Sequence, residues 1–298
     1  MVGLYPKAIE SYQQILAIIP KIDNAKLPPS LQDSPQLLEF NALIGLSISY
    51  DNLGENNKAL ESAEQALKRA QAFGKRDFEV DALLRLASLY SLSYKNYSKS
   101  AEISQQALTI ARQIKEPSLE IKALQSLSDA YIKQGNYIQA IDSANQILVS
   151  AKDKGNPNFQ NTALGLLYKI YNQQGNYQKA AATADSRLVL AKQLKIRYYE
   201  MAALIDVSES YLSLGDTTKA LEAANQSLAI AEESNSSGSK AIALLILARV
   251  YQNQGQYEQA IPLVQKSLEL SRNSKNYYGE VTAFSTLSNI HTATQRSN

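Results

Sequence analysis

The chain has 298 residues, with 30 basic against 28 acidic side chains, one histidine and no cysteine. A formal charge of +2 gives no global attraction to nucleic acid or anionic lipid. The lack of cysteine excludes disulfides, thiolate chemistry and Cys-ligated metals without fixing a compartment. The opening Met1-Val2-Gly3-Leu4-Tyr5 lacks the basic region and apolar run of a signal peptide. The longest apolar run, Ala241 to Ala248, is too short to span a bilayer and stops at Arg249. A soluble, cytoplasmic protein is expected.

Gly3-Leu4-Tyr5-Pro6-Lys7-Ala8-Ile9 matches Gly135-Asn136-Tyr137-Ile138-Gln139-Ala140-Ile141 position by position. Residues 4–19 therefore read as the second helix of a unit whose first helix is absent, with Pro6 in the first turn, where its missing N–H costs little. Such a helix is either the cut end of a longer chain or a cap. Residues 21–35 carry Pro28-Pro29 and Pro35 among polar residues and read as an irregular surface loop. The path from Ala8 to Tyr50 is eleven positions longer than the equivalent path from Ala140 to Tyr171, so an insertion lies in this stretch. It is either a tolerated loop or one that folds over an end of the array.

A repeat then sets in. Tyr131, Tyr171, Tyr211 and Tyr251 recur at a constant step of forty, and Gly135, Gly175, Gly215 and Gly255 and Ala140, Ala180, Ala220 and Ala260 keep the same step. A fixed period of this size signals a solenoid. Leu124, Leu127 and Tyr131 share one helical face, the glycine four positions on suits a left-handed helix end, and Ala140, Ala144, Ile147, Leu148 and Ala151 mark the buried face of a second helix. The unit is a helical hairpin. Repeats are expected at 36–73, 77–115, 118–154, 158–195, 198–234 and 239–274, followed by a final helix at 278–293, all in one array because each unit packs on its neighbours.

Four places depart from the pattern. The path from Tyr90 to Ala101 is two positions longer than that from Tyr131 to Ala140, with no glycine in it. Two inserted residues are therefore expected there, with Asn96 as the candidate for the left-handed position. Tyr168 stands where Ser128, Ser208 and Ala248 stand elsewhere, so its helix must stand off or its ring swing out. Pro262 lies inside a second helix, where a mild kink is expected. His291 takes the tyrosine place of the last helix, in which Thr282, Ser285, Thr286 and Asn289 would give a terminal cap a polar outer face.

The side-chain inventory argues against an enzyme. His291 has no second histidine or cysteine to join, so metal clusters and nucleophile–base pairs built on His or Cys are excluded by count. Glycines occur singly at turns, with no phosphate-binding run. The 18 tyrosines are not accompanied by a basic stripe, which argues against RNA. No cofactor, metal, nucleic acid or membrane partner is expected.

The pattern Leu-x-x-Leu-x-x-x-Tyr-x-x-x-Gly-x-Tyr-x-x-Ala resembles the tetratricopeptide repeat. The usual repeat is about 34 residues long. The longer, forty-residue form is similar to the repeats of kinesin light chains, of Leu-Gly-Asn-repeat spindle adaptors, and of bacterial arrays that precede a CHAT protease-like domain. The resemblance covers nearly the whole chain and implies an all-α, right-handed superhelical solenoid whose first helices line a concave groove. It places Lys122, Gln125, Asp129 and Lys133 in that groove, then Lys169, Asn172 and Gln173, Glu209, and Arg249, Gln252 and Asn253. Amides can hydrogen-bond an extended backbone whatever its sequence, and Lys122, Lys133, Lys169 and Arg249 favour an acidic or carboxylate-bearing segment. The carboxylate clamp of the chaperone-tail binders is absent, with Ile48 and Ser88 at its early asparagine slot, so no known ligand carries over. The resemblance implies a protein–protein interaction scaffold binding a peptide or helix of a partner. The alternatives are the sensor or regulatory arm of a larger chain, such as a CHAT protease-like protein, and a solvated face without a ligand. The apolar stripes of the terminal helices suggest homo-association through a terminal repeat.

Overall fold

The structure, a computed structural model, describes residues 4–23, 26–31, 33–234 and 236–297. Gly3, read above as a turn glycine, and residues 24, 25, 32, 235 and 298 lie outside the described residues. Every regular element described is helical: α1 (Leu4–Ile18), α2 (Ser34–Asn52), α3 (Asn56–Ala72), α4 (Arg76–Leu92), α5 (Tyr97–Gln113), α6 (Pro117–Lys133), α7 (Tyr137–Asp153), α8 (Pro157–Gln173), α9 (Tyr177–Leu194), α10 (Arg197–Ser213), α11 (Thr217–Glu233), α12 (Ser237–Asn253), α13 (Tyr257–Asn273) and α14 (Tyr277–Ser297), with 3-10 turns at Ile19–Lys21 and Pro29–Leu31. The chain divides into two compact units, Met1–Ser150 and Ala151–Asn298.

In each unit the even-numbered helices are first helices and the odd-numbered ones second helices of hairpins. Consecutive helices pack on one another, as α2 on α3, α4 on α5, α10 on α11 and α12 on α13. The seams are alanine. Ala59, Ala63, Ala66 and Ala70 of α3 are fully buried, as are Ala220 and Ala224 of α11. Small side chains let two helix axes approach to the short end of the usual range of about 8–10 Å. Large apolar groups of the first helix fill the space beside them: Phe40 and Leu43 pack against Ala66 and Ala70, and Met201 and Leu204 lie in one cluster with Ile230 and Ala231.

The turns follow from backbone chirality. Gly54, Gly135, Gly175, Gly215 and Gly255 take φ between 71° and 82° at the first-to-second turn, the left-handed region that costs glycine least. Asn176 and Asp216 then cap the second helices by accepting the backbone N–H of Lys179 and Lys219. The glycine-free turn after α4 corrects the expectation made for it. Lys95, not Asn96, takes the left-handed position, with φ 52°, while Asn96 caps α5 by accepting from the Lys99 N–H. One residue is inserted rather than two. The Asn96 N–H reaches back to the Tyr90 carbonyl, where Asn136 reaches only to Tyr131. Ser100, not Ala101, thus stands in the Ala140 place, and Ser104 in that of Ala144; both are buried like the alanines they replace.

The framework tyrosines are half-buried, and lysines of the second helices lie over three of them: Lys58 over Tyr50 at 5.3 Å, Lys179 over Tyr171 at 5.5 Å and Lys219 over Tyr211 at 4.6 Å. His291, in the same place on α14, is exposed rather than core. The polar outer face expected of α14 is found at exposed Ser285 and Asn289 but is corrected elsewhere. Thr286 points inward and is buried, whereas Tyr277, Tyr278, Val281 and Phe284 are exposed. At the other end α2 begins at Ser34, so Pro35 belongs to its first turn and is buried, and the irregular stretch ends at Asp33, whose carboxylate pairs with Lys75 at 2.7 Å. α1 packs on α2, and the Tyr12 ring occupies the space over Gly45.

Candidate functional site

First helices of neighbouring hairpins touch directly: α2 with α4 and α4 with α6 in one unit, and α8 with α10, α10 with α12 and α12 with α14 in the other. The second helices α9, α11 and α13 make no comparable contacts with one another among the described residues. The first helices are therefore the closely spaced side of the stack, and the side chains that sequence reasoning assigned to a groove lie on them.

In the first unit, Lys122, Gln125, Asp129 and Lys133 all belong to α6. Lys122 reaches Asp81 of α4 at 3.2 Å, an exposed pair. Gln125 is half-buried and Lys133 exposed, and neither side chain makes a hydrogen bond or ion pair among the described residues. A second charged group ties α4 to α2. Arg85 donates to Ser47 Oγ at 2.8 Å, to the Ser47 carbonyl at 2.9 Å and to Asp51 at 3.0 Å, and Ser93 donates to the other Asp51 oxygen at 2.6 Å.

In the second unit, Lys169, Asn172 and Gln173 lie on α8, Glu209 on α10, and Arg249, Gln252 and Asn253 on α12. The structure joins two of them: the Arg249 guanidinium pairs with Glu209, and its side chain stays 46% exposed. Tyr168 donates its hydroxyl to the second Glu209 oxygen at 2.9 Å. A relay therefore runs Tyr168–Glu209–Arg249 across three first helices. The Tyr168 ring does not swing out; it is buried in a cluster with Ala180, Ala184 and Met201. Burial, with the nearby Glu209 charge, raises its hydroxyl pKa, so it serves as a donor. Asn172, Gln252 and Asn253 offer amides that make no hydrogen bond among the described residues.

Behind this face lies a group that sequence reasoning missed. Arg187 of α9 donates to Asn161 of α8 at 3.0 Å and pairs with Asp206 of α10. All three are largely buried, and Gly165 makes room: a Cβ there would lie 3.2 Å from the Arg187 guanidinium carbon. Burial pushes the Asp206 carboxyl up to about 7, against the opposing pull of Arg187. Two signals were present in the sequence. Arg187 falls at the repeat place of fully buried Ile147, and Asn161 at that of Ile121 and Met201. Nearby, Tyr211 donates to Asp185 at 2.8 Å, and that bond is the main cause of its raised pKa.

No group of three or more His, Asp or Glu side chains is placed to hold a metal among the described residues, and no helix among them is long and apolar enough to cross a membrane.

Repeated antiparallel hairpins stacked through alanine seams define a helical-repeat protein. Residues 40–73 and 239–298 match models of the tetratricopeptide repeat, so the chain contains tetratricopeptide repeats in these stretches. A search of curated proteins returns no match. Among solved structures, a signal transduction ATPase with numerous domains (STAND) protein with a tetratricopeptide repeat sensor, from Pyrococcus horikoshii, is 19% identical over 94% of this chain and 42% of that one, with a TM-score of 0.65. This chain thus spans about two-fifths of that protein's length. A putative kinesin light chain from Podosopora anserina with nearly identical repeats is 17% identical over 66% of this chain and 96% of that one, TM-score 0.53. A Rap protein complexed with competence and sporulation factor is 13% identical over 99% and 88%, TM-score 0.58. At these identities the likeness is one of fold.

Proposed function

We propose that the chain is a protein–protein interaction scaffold that binds an extended, carboxylate-bearing segment of a partner along the first-helix face of its second unit. One observation carries the reading. The hairpins are held by alanine seams, and Asn172, Gln252 and Asn253 lie on the first helices of the second unit with amides that have no partner among the described residues. The fold does not use these donors and acceptors, while a peptide backbone can satisfy them. Arg249, oriented by Glu209 and half-exposed, adds a forked donor suited to a carboxylate. The Rap protein of the same fold takes a factor in complex, which fits a ligand-binding role for such a stack. A second reading, as the sensor arm of a longer chain, is favoured by the larger STAND protein of which a repeat sensor is one part.

The test is selection from a display library of short unstructured peptides. Enrichment of Asp and Glu is expected, with affinity falling as salt rises, because the site faces solvent. Changing Lys169 and Arg249 together to Glu should abolish binding with helicity retained. Binding that survives the double change places the site on another face.

A further inference from the structure

One contact recurs where a second helix meets the first helix that follows it. Twelve positions after the Ala140 place stand Gln71, Arg112 and Arg272, and eleven before the Tyr131 place stand Glu79, Glu120 and Glu280. They meet in pairs: Gln71 with Glu79 at 3.2 Å, Arg112 with Glu120 at 3.0 Å and Arg272 with Glu280 at 3.6 Å. Arg112 is held at a second edge, where Nη2 donates to Gln146 Oε1 at 2.7 Å. Gln146 is turned for this by donating its own amide to Asp142, also at 2.7 Å.

Between α1, α2 and α3 the acceptors of this arrangement recur and the guanidinium does not. Glu39, Gln65 and Glu61 stand in the places of Glu120, Gln146 and Asp142, and Gln65 again donates to its neighbour one turn back, Glu61, at 3.3 Å. Pro20 stands in the place of Arg112. α1 gives way at Ile18 to the 3-10 turn Ile19–Lys21, whereas α5 and α7 stay α-helical through the same places, to Gln113 and Asp153. A cavity of about 450 Å³ lies there, lined by Leu16, Pro20, Leu43 and Ala72 together with Glu39 and Gln65. That volume is within the range of about 300–1,000 Å³ usual for ligand pockets. Arg69 of α3 reaches one Glu39 oxygen at 2.8 Å, and the other makes no hydrogen bond or ion pair among the described residues.

We propose that this cavity receives the arginine side chain of a partner protein, whose guanidinium takes the place that Arg112 fills one repeat further on. The second Glu39 oxygen and Gln65 Oε1 accept its two edges, as Glu120 and Gln146 accept those of Arg112. Its aliphatic stem lies on Leu16, Pro20 and Leu43. Lysine fits less well, because an ammonium is a point charge and not a planar fork. Lys68 and Arg69 also line the cavity, so recognition rests on the geometry of the fork rather than on net attraction. The site lies within the first unit and takes a cation, so it stands apart from the acidic segment proposed for the second.

A nuclear magnetic resonance titration of the ¹⁵N-labelled chain with Nα-acetyl-arginine amide, at millimolar concentrations, tests this. Saturable shifts are expected at the Gln65 side-chain amide and along the backbone of α2 and α3 beside it. Nα-acetyl-citrulline amide, of the same shape but neutral, should bind weaker by roughly tenfold or more, as the loss of a charge-assisted hydrogen bond implies. Glu39→Gln should weaken the arginine derivative to a similar extent with helicity retained. Pro20→Arg supplies the missing guanidinium from within the chain, and should abolish the shifts and raise the melting temperature. Equal binding of the two derivatives, or no saturable shift with either, overturns the inference. So does arginine binding that survives both Glu39→Gln and Pro20→Arg.

Discussion

Arg187 offers the most demanding test of how the second unit is held together. Its guanidinium is enclosed over Gly165 and pairs with Asp206, itself 9% exposed. Arg187→Met keeps the aliphatic length but leaves a buried carboxyl without its counterion, and breaking such a pair from one side costs about 3–5 kcal/mol. Replacing both partners, Arg187→Met with Asp206→Leu, removes the stranded charge and should return stability to within about 1 kcal/mol of the parent, or above it. The cost must also depend on pH. The Asp206 carboxyl, raised from 3.8 to about 7 by burial, is largely neutral at pH 5 and ionised at pH 8. Arg187 therefore has a full counterion only at the higher pH, and its loss should matter more there. In the parent, the folded state binds the Asp206 proton more tightly than the unfolded state, so this group's contribution to stability falls as pH rises from about 4 to about 7 and is flat above that. A rise of that size corresponds to about 4 kcal/mol across the window. Urea unfolding followed by circular dichroism at pH 5 and pH 8 measures both effects. A single variant as stable as the parent at pH 8, or a double variant as damaged as the single, refutes the buried pair.

Further outcomes follow from packing. Leu167→Ala, at a site 6% exposed, should lower stability by about 2–5 kcal/mol in thermal or urea unfolding. Gly45→Ala should loosen α1, because a Cβ there would lie 2.3 Å from the Tyr12 ring; proteolysis should then cut α1 readily, and adding Tyr12→Ala should restore resistance. Asp216→Ala removes the acceptor for the Lys219 N–H and should cost about 0.5–2 kcal/mol, while Asp216→Asn should be nearly neutral.

The fold was legible because its determinants are periodic and local. Tyr131, Gly135 and Ala140 each report one requirement, a half-buried ring, a left-handed turn and a close crossing, and recur wherever that requirement recurs. The errors came where another residue met the same requirement. Lys95 takes the left-handed position without glycine, and Ser100 is small enough for the alanine place, so counting to Ala101 gave one inserted residue too many. The candidate face was legible only as positions. That Lys122 pairs with Asp81 and Arg249 with Glu209 depends on contacts about one repeat apart between side chains with several rotamers. The Arg187 group was hidden for a different reason. Its members sit at three different repeat places, on α8, α9 and α10, and each alone looks like a single departure from pattern.

Site-directed photo-crosslinking locates the binding face. A photoreactive residue at Gln252 or Asn172 probes the first-helix face, and one at exposed Glu222 or Glu269 probes the second helices. With a peptide selected from the library, capture should occur from Gln252 and Asn172, suppressed by salt and by excess unlabelled peptide, and not from Glu222 or Glu269. Capture from the second-helix positions with none from the first would contradict that location.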